Sequence, residues 1–284
     1  MITKHTKRTL LLLCFLFPLF AYAQDDSGFY GIVETGMEKY WLNTSDNATK
    51  INKEIANLYF EGGYRTLSGW QFGLEIGLAG RSADYDSSGI PLVRGAENLP
   101  YEQVYGTLLI LPTIGAKVGY KIFDNSQHSI YTNLHLLIDG SLMSPRAVGM
   151  SFVTPALKFD VEGKTWFSPR WGIGYTLGGT YYPSPNAALY GDDDDFVRLQ
   201  NLSNDEFVDF NGFWGTYGAL KFLYRYDKTN LFIKWSVDAK FFPQSTTITG
   251  TAINPQTRQS FGDVSLYIPK HRVLRTGIHF GIEF

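Results

Sequence analysis

From Trp70 to Leu78 every second residue is a large hydrophobe (Trp70, Phe72, Leu74, Ile76, Leu78), while Gln71 and Glu75 occupy the other parity. Alternation of period two fits only an extended chain, because a strand sends successive side chains to opposite faces and a helix repeats every 3.6 residues. The rule recurs in about ten segments, each uncharged on one parity. It runs to the end of the chain, where Leu274, Thr276, Ile278, Phe280, Ile282 and Phe284 form one row and Arg275, His279 and Glu283 stand in the other. A free strand end normally frays and carries polar residues. A chain that stops on Phe284 therefore reads as a strand held along both edges.

The second parity holds the charge. It carries Glu34, Glu38, Glu61, Glu75, Asp139, Asp160, Glu162, Asp238 and Glu283, and against them Arg65, Lys117, Lys121, Lys158, Lys164, Lys221, Arg225, Lys234, Lys240 and Arg275. The two signs nearly balance, as they do over the whole 284-residue chain, whose net charge is −2. That value gives no reason to expect a nucleic-acid partner.

At the other end, Lys4, Lys7 and Arg8 precede the apolar run "TLLLLCFLFPLF" and then "AYAQDD". This layout predicts a secretory signal peptide over 1–23, cleaved to leave a single domain over 24–284. The only cysteine, Cys14, would leave with it, so disulfides and thiolate metal sites are not expected. No later stretch approaches the roughly 20 apolar residues of a membrane helix. With aromatics at 16% and 29 glycines, a membrane-embedded version of this chain must be a barrel.

A soluble sandwich also alternates. Connection lengths separate the two readings. Short turns at Ser68-Gly69, "DNSQH", "SPR" and "DKT" alternate with long connections near 40–55, 80–103, 183–211 and 242–271, and a shorter one near 140–148. Short turns on one side and long loops on the other belong to an up-and-down transmembrane barrel. The pattern predicts an all-β antiparallel barrel of about ten strands, with eight or twelve as alternatives. Aromatics near strand ends, among them Tyr40, Trp41, Tyr59, Trp70, Trp166, Trp171, Tyr182, Trp214, Tyr226 and Phe242, are expected to form girdles at the two lipid interfaces.

With the "AYA" cleavage context, the alternating strands and the terminal Phe284, the chain resembles the broad class of Gram-negative outer-membrane β-barrel proteins. The resemblance covers the mature chain and singles out no specific family. It implies outer-membrane lipid and lipopolysaccharide as surroundings. It also implies the barrel-assembly machinery as a partner, reading Phe280, Ile282 and Phe284 as the assembly signal.

Chemistry is sparse. His135 and Asp139 share a face but lie four residues apart, roughly 13 Å along a strand, too far for a direct hydrogen bond. Ser141 and Ser144 have no spacing that fixes a triad. Asp192, Asp193, Asp194 and Asp195 form an acidic run whose spacing is not that of a calcium loop, and read as a solvated loop or a weak metal candidate. No cofactor motif appears. The expectation is a non-catalytic barrel with a charge-paired, largely closed lumen, acting through its surface loops on an extracellular ligand. A narrow porin-like channel and a membrane-embedded hydrolase are the alternatives.

Overall fold

A computed structural model describes residues 27–83, 92–99, 107–143, 148–191, 197–203 and 206–284. The signal-peptide segment 1–23, Ser144 and the acidic run 192–195 lie outside the described residues. The strands are β1 (Gly28–Thr44), β2 (Lys50–Arg65), β3 (Trp70–Ala83), β4 (Thr107–Asp124), β5 (His128–Met143), β6 (Val148–Trp166), β7 (Trp171–Tyr182), β8 (Asn186–Gly191), β9 (Arg198–Gln200), β10 (Phe207–Asp209), β11 (Phe213–Tyr226), β12 (Thr229–Phe242), β13 (Ile248–Ile253), β14 (Ser260–Leu266) and β15 (His271–Glu283).

Ten of them close a ring. β1 to β7 pair in sequence, β7 pairs with β11, β11 with β12, β12 with β15, and β15 with β1, all antiparallel. The ring has no free edge, which satisfies every strand's backbone groups without water. Phe284 completes the seam: its amide donates to the Gly31 carbonyl at 3.0 Å and its carbonyl accepts from the Gly31 amide at 2.9 Å. Its ring covers Gly31, where an added Cβ would lie 2.6 Å from a ring carbon. The chain ends on an aromatic that is paired and packed.

The parity rule carries over into the ring. Leu74 is 70% exposed, Leu177 72% and Leu136 61%, whereas Glu75, Lys117 and Asp160, on the opposite parity, are buried. The outward rows of β3, β5, β7, β12 and β15 join into an apolar belt much larger than the few hundred Å² a soluble surface tolerates. Trp70, Trp171, Trp214, Tyr226 and Phe241 face outward near strand ends.

Two expectations need correction. Tyr40 and Tyr182 are almost wholly buried, and Tyr59, Trp166 and Phe242 lie on the inward parity, so these five rings belong to the interior and not to a girdle. The long connection near 40–55 is a tight one over 45–49. Asn43 pairs with Lys50 in register, Asn47 takes φ 57°, and the Asp46 carboxylate accepts from the Thr44 hydroxyl at 2.6 Å and the Ala48 amide at 3.0 Å. The short–long alternation therefore breaks at the first connection on that side. The strands run on because Tyr40, Leu42, Ile51 and Ile55 have apolar partners inside the barrel mouth.

At the turn end the connections are short, with Gly69 at φ +91°, a left-handed position that favours glycine. At the loop end the described parts of the long connections are folded. β8 and β10 extend from β6, while β9, β13 and β14 make a separate three-stranded sheet.

Candidate functional site: the barrel interior

Inside the ring, alternation places charged residues from nine of the ten strands against one another, β7 contributing only glycines, threonines and Tyr182, and the structure divides the interior into three levels.

At mid-height lies an ion-paired network. Lys234 pairs with Glu34, Lys117 with Glu61, and Arg275 with Glu38 at 2.6 Å. Lys240 donates to Asp139 at 2.9 Å, and Asp139 also accepts from Tyr182 at 2.5 Å and Thr113 at 2.7 Å. Lys117 lies 3.7 Å from Glu162 as well, and Lys158 lies 3.1 Å from Asp160. Asp238 stands opposite Arg275 in register. Lys221 lies over the Phe232 ring at 5.0 Å.

Within this level His135 sits between two carboxylates. Its Nδ1 is 2.6 Å from Glu75 Oε1 and its Nε2 is 3.0 Å from Asp160 Oδ2. The chain of contacts runs on through the Tyr59 hydroxyl, 2.8 Å from Glu75 and 2.9 Å from Glu61, whose one proton can serve only one of them at a time. His135 thus finds carboxylate partners on β3 and β6 and none on its own strand, a cross-strand arrangement invisible to sequence spacing. Asp139 engages a different set of residues. Ser141, six residues from His135 on the same strand, is roughly 20 Å away from it.

Between these side chains remains a cavity of about 200 Å³, bordered by Asn57, Tyr59, His135, Tyr217, Ser236 and His279. That is room for roughly six or seven waters. Asn57 Oδ1, His135 Nε2 and His279 Nδ1 are buried without a well-formed protein hydrogen bond and border this space, so water is the fitting occupant.

The turn end is a wider vestibule of about 570 Å³. Glu283 pairs with Lys164 and lies 3.7 Å from Arg65, the Arg225 guanidinium stacks 3.9 Å from the Trp166 ring, and Lys121 pairs with Asp124 at 2.9 Å. Lys121 and Arg225 thus belong to this mouth and not to the central network.

The loop end is apolar, although the charged inward parity predicts a polar lumen throughout. The connections fold into the mouth and pack with the tops of the strands: Leu92 and Val93 from one connection, Leu189 and Val208 from a second, and Ile248, Leu266 and Ile268 from a third are each about 1% exposed or less. They meet Leu42, Ile55, Met150, Phe152 and Val273 of the ring. Phe242 is the hub, with Phe213 at 4.3 Å, His271 at 4.4 Å, Phe152 at 5.7 Å and Phe210 at 6.0 Å between ring centroids. Arg94 staples the cap to the first hairpin, donating to Thr49 at 2.9 Å and pairing with Asp46 at 2.9 Å. The Thr44 hydrogen bond, then that from Ala48, then Arg94 hold the Asp46 carboxyl well below the usual carboxylate range. The readable signal was the inward parity, which turns from charged to apolar at the loop end of several strands (Tyr40 and Leu42, Ile51 and Ile55, Met150 and Phe152).

No protein-family model matches the sequence, and neither does any curated protein. Solved structures do align with it along most of their length. The outer membrane protease OmpT from Escherichia coli aligns over 92% of this chain and 97% of its own, with a TM-score of 0.54 at 8% identity. The translocator domain of the autotransporter NalP from Neisseria meningitidis aligns over 97% and 95%, with a TM-score of 0.40 at 10% identity. Neisserial surface protein A aligns over 90% and 96%, with a TM-score of 0.34 at 10% identity. At such identities the OmpT likeness speaks to fold alone: the chain has the fold of an outer-membrane β-barrel protein.

Proposed function

We propose that the protein is a non-conducting outer-membrane barrel, with its loop end at the cell surface, whose folded cap is the functional part and serves a binding or structural role there. The observation that carries this reading is the double closure of the lumen. Charged side chains paired across the ring border a cavity of about 200 Å³ at mid-height, and above them the described parts of the connections form an apolar plug. A porin would hold its charges apart across water, whereas these lie in contact. Loops that served only to link strands would have no reason to bury so much apolar surface. Folded as their described parts are, they favour specific contact over passage.

The second reading, a membrane-embedded hydrolase, draws on the Glu75–His135–Asp160 array and on a fold shared with a protease. Access weighs against it. His135 is 3% exposed and lies beneath the cap, whose described residues stand between it and the loop-end mouth.

Liposome swelling and hydrolysis assays test both readings. Proteoliposomes should swell in small sugars no faster than protein-free ones. Peptide and ester substrates should be cleaved no faster by the wild-type protein than by His135→Gln. Rapid swelling would establish a channel, and cleavage abolished by His135→Gln would establish an enzyme.

A further inference from the structure

Among the described residues of the ring strands, outward-facing charge above the apolar belt is confined to one sector of the barrel. On β5, β7, β11 and β12 the outward positions near the loop end are Leu142, Tyr181, Trp214 and Phe241. On β15, β1 and β2 they include Arg272, Lys39 and Lys50, all exposed. Glu54, the outward carboxylate on these strands, stands opposite Lys39 in register, and the Lys39 ammonium lies 5.4 Å from the Trp41 ring, while Asp46, in the turn between Asn43 and Lys50, is paired with Arg94 at 2.9 Å. Lys50 and Arg272 have no such balance: among the described residues neither has a carboxylate within ion-pair range.

Register brings these two together. Asn43 of β1 is directly opposite Arg272 of β15 on one side and Lys50 of β2 on the other. Their Cα atoms are therefore two interstrand spacings apart, about 10 Å. Both side chains are long enough to converge on one anion in front of Asn43. Leu274 sits two residues from Arg272 on the same outward row and marks the top of the belt, so the two cations stand where lipid headgroups begin.

We infer that Lys50 and Arg272 form a binding site for a lipid-borne phosphate of the outer leaflet, held in front of Asn43 across the seam where the first and last strands meet. Guanidinium and ammonium groups suit phosphate oxygens, the first in a planar fork and the second as a point charge. An anion that is part of the bilayer arrives at high local concentration, which a free phosphate does not. The site lies on the outside of β15, β1 and β2, so an occupied site ties the last strand to the second over the first and resists opening of the ring. The inference rests on the membrane placement proposed above.

The test uses the full mature protein in phosphatidylcholine vesicles with and without lipopolysaccharide, reading the temperature at which the folded gel band is lost. Membrane integration is scored separately by protection of the barrel from protease, so a failure of placement is distinguishable from a failure of the site. Lipopolysaccharide should raise the transition of the wild-type protein by several degrees, and inorganic phosphate should not. The double variant Lys50→Gln/Arg272→Gln should lose that increment while keeping its transition in phosphatidylcholine, and Arg258→Gln, an exposed cation of the cap, should retain it. An equal increment in the double variant, or the same effect from inorganic phosphate, overturns the site. Should the double variant fail to fold, the wild-type protein in vesicles carrying dephosphorylated lipopolysaccharide answers the same question: an undiminished increment overturns it.

Discussion

Acid should loosen the cap through one buried imidazole. His271 lies at the loop end of β15, beyond the apolar belt, with its ring parallel to Phe242 at 4.4 Å, edge-on to Phe210 at 6.5 Å, and Nδ1 2.9 Å from the Pro269 carbonyl. Thr44 faces it from β1. Burial among these groups lowers its pKa to about 4, against a smaller upward pull from the Pro269 carbonyl. The unfolded chain titrates near 6.5, so between the two values the unfolded state holds the extra proton. Stability from this residue is complete above about pH 6.5, falls as pH drops toward 4, and is flat below. Across that interval the loss is roughly 3 kcal/mol, enough to change the open fraction of the cap by about two orders of magnitude. Hydrogen exchange of Ile248, Ala252 and Val208 amides at several pH values reads this directly. In His271→Phe, which keeps the stack and removes the proton site, the slope between pH 4 and 6.5 should shrink, while interior carboxylates affect both proteins alike. Identical slopes would refute the reasoning.

Three further outcomes are expected. Leu74→Arg, at a 70% exposed belt position, should cost about 2–4 kcal/mol in lipid and Leu74→Phe much less, measured by urea unfolding in bilayers. Lys234→Met should cost roughly 3–5 kcal/mol because it strands Glu34, and adding Glu34→Gln should recover much of that in a double-mutant cycle. Phe242→Ala should cost about 3–5 kcal/mol and expose 243–270 to limited proteolysis while the ring stays intact.

Much of the ring was legible because a barrel in lipid writes its topology into parity. Leu74 against Glu75 or Leu136 against His135 can be sorted with no knowledge of partners, since each face meets one kind of solvent. Partners themselves were not legible. That His135 meets Glu75 of β3 and Asp160 of β6 depends on stagger between strands, which no local spacing encodes. The cap was hidden for a related reason. Ile248, Leu266 and Ile268 lie in segments without sustained alternation and acquire meaning only when three distant connections fold into one mouth. The Thr44–Thr49 turn was misjudged because its strands lengthen to reach that cap, so a local boundary was set by remote packing.

Single-channel recording of refolded wild-type protein in a planar bilayer tests the closed lumen most directly. The paired mid-section and the apolar plug predict silence, or small and rare openings, at moderate voltage and neutral pH. Large, stable, ohmic openings would contradict the account, because they require a continuous water-filled path through residues the structure places in contact.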